Sequence, residues 1–227
     1  MSGPRARNTS RTFTTVVVDA GHGGSDSGAY RRTGPPEKIV TLDVARRLDR
    51  KLRESQLRTV MTRSADEFIS LDRRVAIGKG EKNSVFVSVH FNDSSRRGIR
   101  GFETYYHAPF AAGLAEQIQR KLMTMPGAVN RGVKHANYRV LRNAPYPAVL
   151  VECGFLSNRR EGSEAGSMAY REQLADKIAE AIVEARYGSG VYNAPPQMAA
   201  QAPEGPAAQP FRPGDAGQTP PGFFNTP

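Results

Sequence analysis

The sequence of 227 residues contains a single cysteine, Cys153. One cysteine excludes an intramolecular disulfide framework, so cysteine usage does not fix the redox compartment. The sequence also lacks an apolar run long enough to cross a bilayer, so we expect no membrane span. The first dozen residues are polar and lack the apolar core of a signal peptide. From these residues we expect either a protein that stays in the cytoplasm or a mature form.

A dense basic run is also missing, although 32 Lys and Arg residues outnumber 22 Asp and Glu residues and give a net charge of +10. Such a charge favours a polyanionic partner, such as nucleic acid, an acidic polymer or a membrane surface. Acidic residues interrupt the richest basic patch, RRLDRKLRES, as they do on a solvated helix face. Neither interleaved aromatic residues nor a known nucleic-acid-binding module is present, so we expect no nucleic-acid partner.

The glycine-rich stretch VVVDAGHGGSDSGAY, residues 16–30, lacks the two common phosphate-binding patterns. The dinucleotide pattern fails because the sixth position from Gly21 is Asp26, and the phosphate loop fails because Ala29 follows Gly28. With phosphate binding set aside, the glycines are expected to bring the backbone close to another group. His22 is the titratable side chain of the loop that would face this group. A neutral imidazole serves as a metal ligand or an acid–base group. The alternative is a loop histidine that caps a backbone carbonyl.

Strand-like and helix-like patterns alternate between residues 13 and 187. This alternation predicts an α/β domain with a mostly parallel central sheet of about six strands, flanked by helices. The predicted strands are Thr14–Asp19, Gln56–Thr62, Ser84–His90, Gly101–Tyr106, Tyr138–Leu141 and Ala148–Cys153. The predicted helices are Glu37–Ser55, Leu71–Lys82, Pro109–Met123 and Ala169–Tyr187.

Two terminal segments flank this predicted domain. Residues 188–227 are dense in Pro, Ala, Gly and Gln and show no hydrophobic period. Such a composition does not bury enough apolar surface to offset the chain entropy lost on ordering. We therefore predict disordered segments at residues 1–12 and 188–227 and a single folded domain at 13–187.

Four titratable residues lie where predicted strands end or where a helix begins. His22 follows the first strand, His90 ends another, Glu152 lies near the end of a third, and Glu37 opens the first helix. Because sites in open α/β sheets gather at the carboxyl ends of strands, we expect these groups to converge. Two imidazoles and one carboxylate form the ligand set of a catalytic zinc, and a second carboxylate is the usual general base.

Each of these residues also has a simpler structural interpretation. Glu37 could only complement the helix dipole, an interaction worth roughly 0.3–1 kcal/mol. His90 could be a core histidine satisfied by a hydrogen bond. Glu152 is harder to explain in this way, because it follows the apolar run Ala148–Val151 and a buried carboxylate is costly unless it is paired or bound to metal. His107 and His135 lie in less constrained stretches and are treated as background.

Four motifs carry a resemblance to a known family. They are VVVDAGHGGSDSGA, EKIVTLDVARRL, VFVSVHFND and RGVKHANYRVLRNAPYPAVLVECGFLSN, and they follow one another between Val16 and Asn158. In this order they resemble the signatures of the zinc-dependent N-acetylmuramoyl-L-alanine amidases, which are cell-wall amidases. The resemblance implies a twisted, mostly parallel sheet flanked by helices. It also implies zinc held by His22, Glu37 and His90, with Glu152 as the catalytic glutamate.

The reaction implied by the resemblance is hydrolysis of the amide between N-acetylmuramic acid and the L-alanine of the peptidoglycan stem peptide. The implied partner is peptidoglycan or a muropeptide, and the implied location is the cell envelope. Some members of the family carry a helix that covers the zinc until an activator removes it. The interval between His90 and Ala111 is too short for such a helix, so we expect an enzyme that needs no activator. We also expect a monomer.

Two departures and two rival functions accompany this resemblance. Phe91 stands where a smaller residue is common, and no separate wall-binding domain is visible. One rival is another zinc hydrolase, such as a peptidase that cuts within the stem peptide. The other is a non-catalytic peptidoglycan-binding module that keeps the same fold.

Overall fold

The computed structural model describes residues 13–30 and 34–188. The predicted disordered segments 1–12 and 188–227 lie outside the described residues, apart from Gly188. The described part of the chain alternates strands with helices. Its strands are β1 (Thr15–Ala20), β2 (Arg58–Met61), β3 (Ser84–Asn92), β4 (Phe102–Tyr106), β5 (Asn130–His135) and β6 (Ala148–Phe155). Its α-helices are α1 (Glu37–Glu54), α2 (Leu71–Lys79), α3 (Ala112–Leu122), α4 (Arg139–Arg142), α5 (Arg159–Gly166) and α6 (Met168–Tyr187).

The six strands form one sheet in the order β2-β1-β3-β6-β4-β5. Strands β2, β1, β3 and β6 are mutually parallel, whereas β4 is antiparallel to β6 and parallel to β5. The predicted α/β fold with a mostly parallel sheet flanked by helices is therefore confirmed. This topology places the carboxyl ends of β1, β3 and β6 at one edge of the sheet, where the amino end of β4 also lies.

One predicted strand is wrong, and one real strand was not predicted. The segment Tyr138–Leu141 forms the start of α4, because the backbone N–H groups of Leu141 and Arg142 both donate to the carbonyl of Tyr138. The adjacent residues Val140 and Leu141 are both buried in the same core cluster, which the alternation of a strand does not allow. The other five predicted strands are confirmed to within about two residues at their ends.

The strand that was not predicted is β5. It pairs with β4 and is the last strand at one side of the sheet. Its sequence NRGVKH contains one apolar residue, Val133, and none of its six residues is buried. An edge strand of this kind lacks the hydrophobic alternation that marks a half-buried strand. Helix α5 was also not predicted, because its sequence RREGSEAG carries almost no apolar stripe.

Helices cover both faces of the sheet and bury two apolar clusters. On one face, strand residues such as Val16, Val87 and Val151 pack with residues of α1, α3 and α6. On the other face, Val17, Phe86 and Leu150 pack with residues from α2 and α4. The sheet is thereby buried on both sides, which leaves its carboxyl edge as the surface where polar side chains can gather. No helix within residues 13–30 and 34–188 combines the length and apolar character needed to cross a membrane.

Candidate active site

The carboxyl edge of the sheet brings His90 and Glu152 side by side. His90 lies near the end of β3 and is the register partner of Glu152 on β6. Residues paired in this way on neighbouring strands point to the same face, about 4.8 Å apart along the hydrogen-bonding direction. The sequence prediction that these two strand ends meet is therefore confirmed by the register.

His22 reaches the same edge from the loop that follows β1. Its backbone lies in the left-handed region with φ of 59°, a conformation that non-glycine residues rarely adopt. A pair of backbone hydrogen bonds between Gly23 and Asp26 closes the loop behind it. Non-glycine residues held in this region cluster at functional sites, where the surrounding structure over-determines them.

Two glycines explain why this loop is so rich in that residue. A Cβ at Gly21 would lie 2.4 Å from Cε1 of His90, and a Cβ at Gly28 would lie 2.5 Å from Oε2 of Glu37. Gly28 also has φ of +63°, which disfavours any side chain. The glycines therefore allow the backbone to pack directly against the imidazole and carboxylate of the site.

Glu37, the first residue of α1, joins the two histidines. Its Oε2 lies 3.1 Å from Nε2 of His22, and its Oε1 lies 3.1 Å from Nδ1 of His90. The side chain is buried, and its oxygens also accept hydrogen bonds from the backbone N–H groups of Ala29 (2.8 Å) and Phe91 (2.9 Å). Burial alone would raise the pKa of Glu37, but the hydrogen bonds and charges of both histidines lower it. The carboxylate is thus held ionised and in a fixed orientation.

The second ring nitrogen of His22 is bound by Asp26, which the sequence analysis did not identify. Nδ1 of His22 lies 2.8 Å from Oδ2 of Asp26, so the ring is held between two carboxylates. Burial would lower the pKa of His22, but hydrogen bonds to Asp26 and Glu37 raise it to about 10. A carboxylate on the far nitrogen is the usual device that orients a metal-binding histidine.

Two buried arginines, Arg63 and Arg74, fix the backbone of the His22 loop. Arg63 donates from Nη2 to the carbonyl of Gly21 (2.7 Å) and from Nε to that of Ala20 (3.0 Å). Arg74 donates from Nη2 to the carbonyl of His22 (2.7 Å) and also contacts Ala20. Both residues are at most 3% exposed, so their hydrogen bonds to the loop carbonyls are shielded from water.

Glu152 differs from every other acidic residue at this edge. Its Oε2 atom is buried and has no hydrogen-bond partner among the described residues. Burial raises the pKa of Glu152 well above its usual range, and the negative charges of Glu37 and Glu103 raise it further. A buried, unsatisfied carboxyl group is costly, and such groups concentrate at sites of chemistry.

The structure thus brings together all four residues that the sequence analysis singled out. One donor atom from each of His22, Glu37 and His90 lies within 4.8 Å of the other two, a spacing that can hold a metal ion. Glu152 lies beside this cluster without contributing to it. His107 and His135 lie elsewhere, with ring centroids 4.9 Å apart at the ends of β4 and β5.

Comparison with known proteins points to the same family that the four sequence motifs resemble. The sequence profile described as N-acetylmuramoyl-L-alanine amidase matches residues 16–184. The chain is 38% identical over 173 residues to the N-acetylmuramoyl-L-alanine amidase LytC of Bacillus subtilis, a match that covers 74% of this chain and 35% of LytC. It is 32% identical over 170 residues to the probable cell wall amidase LytH of Staphylococcus epidermidis, covering 74% of this chain and 57% of LytH. It therefore spans only part of the length of these two relatives.

A solved structure gives the same result for the fold. The N-acetylmuramoyl-L-alanine amidase AmiC2 of Nostoc punctiforme superposes with a TM-score of 0.72 at 36% sequence identity. The superposition covers 75% of this chain and 95% of AmiC2. The shared part therefore corresponds to nearly all of that solved domain.

Proposed function

We infer the activity of this chain from its family: it belongs to the N-acetylmuramoyl-L-alanine amidases, whose profile spans residues 16–184. We propose that it is a zinc-dependent hydrolase that cleaves the amide between N-acetylmuramic acid and the L-alanine of the stem peptide. The observation that carries this proposal is the convergence of His22, Glu37 and His90 to within 4.8 Å beside the unsatisfied carboxyl group of Glu152.

The donor set fits a zinc ion in three respects. Two imidazole nitrogens and one carboxylate oxygen form a known catalytic zinc set, which leaves a fourth position open. Glu37 is ionised, because its pKa is lowered. His22 carries its second hydrogen bond to Asp26, so Nε2 can face the ion once its proton is released on binding.

The reaction requires an electrophile, a nucleophile and a proton carrier. His22, Glu37 and His90 would hold the zinc, which would supply Lewis acidity toward an amide carbonyl and a water molecule. Glu152 accepts the proton of the attacking water as the new C–O bond forms, and it then donates that proton to the amine of L-alanine as the C–N bond breaks. The products are the muramic acid carboxylate and a stem peptide with a free amine.

The environment of Glu152 suits such a base. Its raised pKa, caused first by burial, moves the carboxyl group toward the pH range in which it can both accept and donate a proton. A cation held by the neighbouring residues would counter part of this rise, because an opposite charge favours the ionised form. The same residue is therefore suited to both halves of the reaction.

The biological setting follows from the same family. The substrate class is peptidoglycan or muropeptides, and the location is the cell envelope, consistent with relatives described as cell wall amidases. Between His90 and Ala111 the described chain contains β4 and a short 3₁₀ helix, Pro109–Ala111, and no longer helix that could cover the site. We therefore propose an enzyme that acts without an activator. That it acts as a monomer is a separate proposal.

The test is digestion of purified peptidoglycan by the isolated protein, with metal analysis of the same preparation. The proposal expects one zinc per chain and products with a new amino-terminal L-alanine and intact muramic acid. A stem-peptide peptidase would instead release amines within the peptide, and a binding module would release none. Activity that appears only after another protein is added would refute independence from an activator.

A further inference from the structure

We propose that Arg131 and Lys134 form a binding subsite for a carboxylate of the stem peptide, beside Glu152. The proposal rests on the proposed function, because it concerns the part of the same substrate that lies beyond L-alanine. Both residues belong to β5, the edge strand, and neither takes part in the chemistry described above. Both side chains are held in position by hydrogen bonds to one buried acidic residue, Glu103.

Glu103 connects the cation pair to the catalytic edge. It lies on β4, its side chain is 2% exposed, and it is the register partner of Glu152 in the antiparallel pairing of β4 with β6. Its Oε1 accepts hydrogen bonds from Nε of Arg131 and from Nζ of Lys134, both at 2.6 Å. The two cations therefore converge on a point one strand away from the proposed base.

The rest of the Glu103 carboxylate is also satisfied. Its Oε2 accepts a hydrogen bond from the hydroxyl of Tyr105 at 2.6 Å and another from Nδ2 of Asn92 at 3.0 Å. Burial would raise the pKa of Glu103, but the hydrogen bonds from Lys134, Tyr105 and Arg131 lower it. The group that anchors the two cations is thus a rigid, ionised carboxylate.

The pair carries more positive charge than Glu103 requires. Among the described residues, Glu103 is the one carboxylate that pairs with Arg131 or Lys134, so two cations share a single negative charge. Their side chains are 32% and 40% exposed, which leaves unused N–H donors accessible to a ligand. Because Glu103 already orders both side chains, a bound anion would lose less affinity to side-chain immobilisation.

The spacing matches the stem peptide. Strands β6, β4 and β5 are successive neighbours, and Lys134 is the register partner of Tyr105, two residues beyond Glu103, so the backbone of Lys134 lies about 12 Å from that of Glu152. An extended peptide advances about 3.3–3.6 Å per residue. A substrate cleaved beside Glu152 would therefore place a carboxylate of one of its first three residues near the cation pair. Arginine and lysine both bind carboxylates through charge-assisted hydrogen bonds.

The experiment compares two N-acetylmuramoyl tripeptides that differ only in one free carboxylate, present in the first and replaced by a carboxamide in the second. Binding of each is measured by calorimetry in a Glu152→Gln background, and hydrolysis of each is measured with Glu152 intact. Lys134→Met removes one cation, and Lys134→Arg keeps the charge. Lys177→Met, which removes a partly exposed lysine paired with Glu180 on α6, is the matched control.

The proposal expects the carboxylate peptide to bind about tenfold more tightly than the carboxamide. Lys134→Met should remove this preference by weakening the carboxylate peptide alone, while Lys134→Arg and Lys177→Met should retain it. Equal binding of both peptides by the parent, or an equal loss for both in Lys134→Met, would overturn the subsite. Tighter binding of the carboxylate peptide without hydrolysis of either peptide would support the subsite and refute the amidase function. Hydrolysis of both peptides with equal binding would support the amidase function and refute the subsite.

Discussion

Asp19 is a buried residue and Glu152 a half-buried one with a buried Oε2 atom, on the two strands that flank β3, and their surroundings are opposite. Asp19 accepts hydrogen bonds from Nη1 of Arg74 and from the hydroxyls of Thr62 and Ser88, each at 2.6 Å. Glu152 has a buried oxygen without a partner among the described residues. The first group is satisfied within the fold, whereas the second has an oxygen that no described residue satisfies.

The two environments shift the pKa values in opposite directions. Burial would raise the pKa of Asp19, but the charge of Arg74 and the hydrogen bonds from Ser88 and Thr62 lower it. At Glu152 burial also raises the pKa, and the nearby negative charges add to the rise. A carboxyl group that is fully paired contributes to stability, and one that is left unpaired is available for proton transfer. The difference separates Asp19, which holds Arg74 against the His22 loop, from Glu152, which we propose transfers protons.

The largest expected effect concerns the metal cluster. His22→Ala or His90→Ala should reduce bound zinc and turnover together to background, because two protein ligands do not complete a catalytic zinc site. Zinc content and hydrolysis are measured on the same sample. His135→Ala, which removes an exposed histidine outside the cluster, is the control and should retain both. Full zinc and full activity in either ligand variant would contradict the assignment.

Asp19→Asn should lower the free energy of unfolding by about 3–5 kcal/mol, because it leaves the buried guanidinium of Arg74 without its charge partner. The measurement is denaturant unfolding of the metal-free protein. The control is Asp72→Asn, which breaks an exposed ion pair with Arg139 and should cost about 1 kcal/mol or less. Equal losses in the two variants would show that burial does not distinguish Asp19.

Asp26→Asn should weaken zinc binding by about 10–100-fold, the usual cost of losing the carboxylate that orients a metal-binding histidine. Competition with a chelator measures the affinity. Turnover at saturating zinc should change much less, because Asp26 contacts His22 and is not proposed to contact the substrate. A large loss of turnover at full zinc occupancy would show that Asp26 acts in the reaction itself.

The smallest expected effect is the pH dependence of the Asp19 contribution. Because the folded pKa lies below the usual value of 3.8, this contribution is present above that value and is lost as the pH falls through the folded pKa. The difference in unfolding free energy between the parent and Asp19→Asn should therefore shrink below about pH 4. A difference that stays constant into strong acid would mean that the Asp19 pKa is not lowered by folding.

The sequence predicts the proposed zinc ligands and Glu152 better than it predicts the residues that hold them in position. His22, His90 and Glu152 follow apolar strands, and parallel strands of one sheet end at a common edge, so their convergence could be inferred. Asp26 gave only a weak signal, its position four residues after His22 in a loop. Arg63 and Arg74 gave none, because arginine is usually exposed and sequence does not reveal which arginine is buried.

Strand β5, at the lateral edge of the sheet, was the harder part of the sheet to predict. The edge strand β5 has a single apolar side chain, Val133, and no hydrophobic alternation, so the sequence did not reveal its pairing with β4. The same is true of Glu103, whose buried position depends on cations contributed by that strand. The other five strands could be predicted from their apolar patterns, whereas β5 is recognised only from its tertiary contacts.

The most direct test of the contrast between the two carboxyl groups is zinc content and turnover measured on one preparation of Glu152→Gln. Glutamine keeps the shape of the side chain but does not accept the proton. The variant should bind one zinc per chain and unfold with at least the stability of the parent, while turnover falls by about 10²–10⁴-fold. Loss of zinc together with activity would contradict this account, because it would make Glu152 a ligand and displace one of His22, Glu37 and His90 from that role.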